Sequence, residues 1–275
     1  MNWQHSLATY QTERELLLQR ARYLAEHDPS ICAAWLFGSL GRGDADALSD
    51  IDLFLIVEDS DHADVVSTRS AMMAKLGEPV LILEAPQNWP PGGVYNMALY
   101  PGKYGPHQVD WYWVRRSCAA IPSETALWFD RAGLPRLTTP THFSYATVPE
   151  REPAEVASQA VNMFWVMSLI LAKNIARAPA EDRSEWLGWL RGFFNKAATF
   201  AGSSVELPTP SLSSHDVAEV LQILRIWAVG MEMLMPEVVA KGGYIPAEFP
   251  AQAHRYFDLI EALTATGQTP DLTLV

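Results

Sequence analysis

AAWLFGSLGRGDADALSDIDLFLIVED, residues 33–59, sets an apolar run before Gly38-Ser39, a polar loop after it, and Asp50-Ile51-Asp52 at the opening of a second apolar run. Short apolar runs bounded by glycine and aspartate suit buried strands, predicted here at 31–37 and 51–57. Side chains alternate along a strand, so Asp50 and Asp52 share one face while Ile51 and Leu53 point into a core. Two carboxylates held that way repel, and burying either is costly unless a positive charge lies between them. A hard divalent cation such as Mg²⁺, which takes oxygen ligands, meets that need. The alternative is a capped turn in which the aspartates bond neighbouring N–H groups.

Working outward, Gly38 lets backbone approach a ligand, and the Ser39 hydroxyl with nearby N–H groups could cradle a phosphate. Gly41 and Gly43 leave the loop unobstructed, and Arg42 adds a positive charge or is a solvated loop residue. A third acid would complete a cation site. Asp110 in HQVDWYWVRR (107–116) is the best candidate, because Val109, Trp111 and Trp113 alternate with Asp110 and Tyr112, leaving the acid mid-strand. Its other reading is a salt bridge to Arg115 or another basic group. The turn cluster PGKYGP at 101–106 implies that 94–100 and 108–115 form an antiparallel hairpin.

The pattern of glycine, serine and paired aspartates resembles the signature of the polymerase-beta-like nucleotidyltransferases over 33–57, and HQVDWYWV resembles their strand bearing the third acid. The helical second half and LWFDRAG (127–133) resemble, in outline, the aminoglycoside and lincosamide nucleotidyltransferases. The resemblance implies transfer of a nucleoside monophosphate, AMP from ATP, to a hydroxyl of a small acceptor. Asp50, Asp52 and Asp110 would be the catalytic and metal residues around two Mg²⁺ ions. Gly38, Ser39, Arg42, Ser49 and Lys173 would bind the nucleotide, Lys173 because a helical-domain lysine serves the triphosphate in similar proteins, with Lys196 the second choice. Glu152 or Glu155 could replace Asp110 as the base. A protein-targeting nucleotidyltransferase of toxin–antitoxin type and an inactive nucleotide-sensing module are the alternatives.

The remaining features bound these expectations. The chain has 275 residues, 49% of them hydrophobic, enough for a sizeable core in one large domain or two ordinary ones. A net charge of −12 argues against nucleic acid as a partner and is compatible with a cationic substrate or bound metal. Cys32 and Cys118 read as reduced core residues of a cytoplasmic protein, and His107 as a surface hairpin residue. No signal peptide is expected, and the apolar segment 161–172 is too short to cross a bilayer. The expected partners are a nucleoside triphosphate and a small hydroxylated acceptor, with no membrane, in a monomer or homodimer. Helical patterns are predicted at 9–26, 63–76, 153–177, 184–201, 215–235 and 250–265. The fold class is α+β: a nucleotidyltransferase domain at 1–140 with a mixed sheet flanked by helices, a linker around 138–150, and an all-α bundle at 150–275 serving the nucleotide and acceptor cleft.

Overall fold

The computed structural model describes residues 2–139, 151–178, 181–207, 216–265 and 272. Of the linker expected around 138–150, residues 140–150 lie outside the described residues, as does His215 at the start of the helical pattern predicted at 215–235. Two compact units emerge, one from residues 8–102 and 107–139, the other from 2–7, 103–106 and the described residues from 151.

The first unit is α+β. Helix α1 (Trp3–His27) leads into β1 (Ile31–Phe37), the five-residue α2 (Gly38–Arg42) and β2 (Ile51–Val57). Then come α3 (His62–Ala74), β3 (Leu81–Glu84), β4 (Gly93–Tyr100), β5 (His107–Arg115) and β6 (Ala126–Asp130). The strands form one mixed sheet in the order β3-β4-β5-β2-β1-β6. Among the paired strands of this sheet, in the described residues, only β2 and β5 run parallel; the others pair antiparallel, including the β4–β5 hairpin.

The period of two sorts the two faces of this sheet. Ile51, Leu53, Leu55 and Val57 of β2 and Val109, Trp111 and Trp113 of β5 enter one core with Leu17, Ala21 and Ala25 of α1 and Met72 and Met73 of α3. Asp52 and Phe54, with Asp110 and Tyr112, occupy the alternate positions and so the opposite face. β6 is an edge strand that the sequence reading did not predict. It is closed by the Asp130 carboxylate, which accepts from the N–H groups of Ala132, Gly133 and Leu134.

The second unit is helical: α4 (Pro153–Arg177), α5 (Ser184–Ala201), α6 (Val217–Ala240) and α7 (Phe249–Thr264). Proline opens α4 where its missing N–H costs nothing, and the Asp216 carboxylate caps α6 by accepting from Glu219 N–H at 3.0 Å. Phe164, Trp165, Phe194, Trp227 and Phe257 fill the bundle core. α4 is the one helix among the described residues long and apolar enough, by length and composition, to cross a membrane. Its 25 residues exceed the apolar segment read from sequence, and its buried positions pack on α5, α6 and α7, as a core helix does.

Two expectations need correction. Cys118 is exposed, because the strand ends at Arg115 and a short 3₁₀ turn carries residues 116–118 outward. Only Cys32 is buried, and burial pushes its thiol up to about 11. His107 is not at the surface of the hairpin. It opens β5, lies buried against the Tyr10 ring with centroids 4.2 Å apart, and its Nε2–H donates to Glu13 at 3.1 Å.

Candidate active site

β2 and β5 are adjacent and parallel, in a register that sets Asp52 directly beside Asp110. Neighbouring strands lie about 4.8 Å apart. At ~5 Å and an effective dielectric of ~20, two carboxylates repel by about 3 kcal/mol. Asp50 precedes β2 by one residue, half-buried like Asp52, while Asp110 is buried. Burial first, then the Asp52 charge, then that of Asp50, hold the Asp110 carboxyl well above the usual carboxylate range. Tyr112, on the same face, is raised by burial and then by Asp110, Asp52 and Asp50, so its hydroxyl stays protonated beside all three acids. The three acids are therefore electrostatic neighbours.

Gly38 makes the Asp52 position possible. Its φ of +61° is a left-handed value that favours glycine. A Cβ there would fall 2.1 Å from Asp52 Oδ2, far inside contact distance. The register pairs Phe37 with Asp52, so the chain turns from β1 into α2 against the carboxylate. The Ser39 carbonyl accepts from Gly43 and Asp44 N–H, which closes the turn, with Gly43 in the left-handed conformation. Arg42 is exposed and pairs with Asp44 at 3.1 Å. Ser49 is buried, and its hydroxyl is engaged within the loop by Asp46 N–H and the Asp46 carboxylate.

Three residues around the acids escaped sequence reading. Tyr95 Oη donates to Asp110 Oδ1 at 2.9 Å, and Gln108 Nε2 donates to Asp110 Oδ2 at 2.9 Å. These partners, not Arg115, receive the Asp110 carboxylate. The third is Arg14, buried on α1, whose Nη1 donates to the carbonyls of Asp46 and Ser49 and so pins the loop before Asp50. Its signal was present in the sequence: Tyr10, Arg14, Leu17 and Ala21 recur at helical spacing on the buried side of α1. Beyond the acids, Trp35, Phe54, Tyr112 and Tyr95 form a row of rings across four strands, with successive centroids 5.6, 4.3 and 4.9 Å apart.

Among the described residues no three His, Cys, Asp or Glu side chains are grouped so that they could hold a metal ion. In chemistry, the three acids match the ligands a hard cation takes: the donors are all oxygen, and the charges of Asp52 and Asp50 oppose ionisation of Asp110. Lys173 is buried within the helical unit, on α4. Lys196 is exposed over the Phe193 ring and lines a hollow of about 510 Å³ with Arg151, Asn195 and Phe200. Glu152 and Glu155 are exposed at the start of α4.

No curated protein matches the chain. Residues 19–96 match the family described as Polymerase beta, Nucleotidyltransferase. The match contains Gly38, Ser39, Asp50 and Asp52, stops short of Asp110, and supports a nucleotidyltransferase of the polymerase-beta-like superfamily.

Proposed function

We propose that the chain transfers a nucleoside monophosphate from a nucleoside triphosphate, ATP first among them, to a hydroxyl of a small acceptor. The observation that supports this most is the register of Asp52 with Asp110 across parallel strands, with Gly38 backed onto Asp52. Asp50, Asp52 and Asp110 would hold two Mg²⁺ ions. When bound, these neutralise triphosphate oxygens and lower the pKa of the acceptor hydroxyl.

Each protein group then has a distinct task. Ser39 donates to the terminal phosphates, with Arg42, Ser49, Lys173 and Lys196 as further candidate nucleotide contacts. The acceptor oxygen bonds to the α-phosphorus, the bond to the pyrophosphate oxygen breaks, and the acceptor proton passes to Asp110 or to Glu152 or Glu155. Aminoglycosides and lincosamides are the first acceptors to try. Their hydroxyls and positive charge suit a chain of net charge −12.

The test is incubation with ATP labelled at the α-phosphate, Mg²⁺ and a panel of antibiotic, nucleic-acid and protein acceptors. Labelled product and pyrophosphate should appear with one acceptor class and vanish in Asp52→Asn. Absence of transfer to every class would refute the proposal. Label on protein alone would move the acceptor to a protein hydroxyl.

A further inference from the structure

We infer that Tyr95 and Gln108 are positioning residues that aim Asp110 at the cation. The inference rests on the reading of Asp110 as a cation ligand given above. β4 and β5 pair so that Tyr95 lies opposite Tyr112 and Met97 opposite Asp110, which brings the tyrosine diagonally across to the carboxylate. Gln108 shares its face with Asp110, two residues along β5. One donor meets each oxygen: Tyr95 Oη at Oδ1 and Gln108 Nε2 at Oδ2, both at 2.9 Å.

An ionised carboxylate offers about four lone-pair sites on its two oxygens. The two donors occupy one per oxygen and leave the others for a cation. With both oxygens tied, the plane of the carboxylate is fixed before any ion arrives. Tyr95 itself is buried against the Tyr112 ring, which fixes its hydroxyl in turn. Partners of this kind around a metal ligand are typically worth about 10- to 100-fold in affinity or activity.

The experiment titrates Mn²⁺ alone into the full chain by calorimetry, for the parent, Tyr95→Phe and Gln108→Ala, with thermal unfolding of each. Phenylalanine keeps the ring and loses only the hydroxyl, and Gln108 is half-buried, so one of the pair should remain folded. The inference expects Mn²⁺ binding weaker by about 10- to 100-fold in each folded variant. The Mg²⁺ concentration for half-maximal transfer should rise by the same factor. Equal or tighter binding in a folded variant would overturn the inference alone and leave the proposed function standing. A parent that binds no Mn²⁺ overturns both.

Discussion

Replacing Gly38 with alanine forces two separable costs, and the structure supplies a control for one of them. Gly38 has φ +61° and Gly43 has φ +79°, so alanine at either must adopt a left-handed backbone, worth roughly 1–2 kcal/mol. At Gly43 the new methyl meets nothing within 4 Å. At Gly38 it would stand 2.1 Å from Asp52 Oδ2, so carboxylate and turn must part by more than about 1 Å to reach ordinary contact. A displacement of that size at a reacting centre costs on the order of 100-fold in rate. Both variants should lose about 1–2 kcal/mol in urea unfolding at the backbone cost alone. Gly38→Ala should lose more, together with about 100-fold in metal-dependent transfer, while Gly43→Ala keeps parental activity. Equal stability and equal activity in the two variants would refute the argument that Gly38 is glycine because Asp52 lies against it.

Asp110→Asn should abolish transfer, by at least about 1,000-fold, yet raise the melting temperature of the metal-free protein, because it removes the carboxylate that burial and two like charges oppose. A lower melting temperature in differential scanning calorimetry would contradict the repulsion. Arg14→Leu leaves the carbonyls of Asp46 and Ser49 without their buried donor and should cost about 2 kcal/mol in urea unfolding, with reduced activity. His107 is held below its ordinary value by burial, against the raising effect of Glu13. The unfolded chain therefore binds a proton near pH 6.5 that the folded chain refuses. That contribution is complete above pH 6.5 and falls as pH drops below it, by at most about 1.4 kcal/mol per pH unit. His107→Gln, which can still donate to Glu13, should show a shallower loss of stability between pH 7.5 and 5.5 than the parent; an unchanged slope would refute this.

Local signals carried much of this structure. The run from Ala33 to Asp59 announces strand, glycine turn and strand because its apolar blocks and glycines act over a few residues. Alternation in β5 put Asp110 opposite the tryptophans before any partner strand was known. Pairing was not legible, because β2 meets β5 across some fifty residues and nothing near either strand specifies a parallel neighbour. The hydrogen-bond partners of Asp110 follow from that pairing and were hidden with it. Arg14 was missed and His107 misplaced for one reason: a polar side chain reads as solvent-facing unless its buried partner is known, and the partners here are loop carbonyls and a glutamate on another element. Cys118 failed in the opposite direction, since an apolar neighbourhood in sequence did not survive the turn after β5.

In the proposed reaction Asp50, Asp52 and Asp110 hold divalent cations against a nucleotide. An anomalous difference map from a crystal grown with Mn²⁺ and a non-hydrolysable ATP analogue tests it most directly. The account predicts manganese peaks within about 2.0–2.3 Å of oxygens from the β2 and β5 aspartates, with the analogue's phosphates completing the shell beside Ser39. A nucleotide bound with no peak at these aspartates, or with metal held by other side chains, would contradict it.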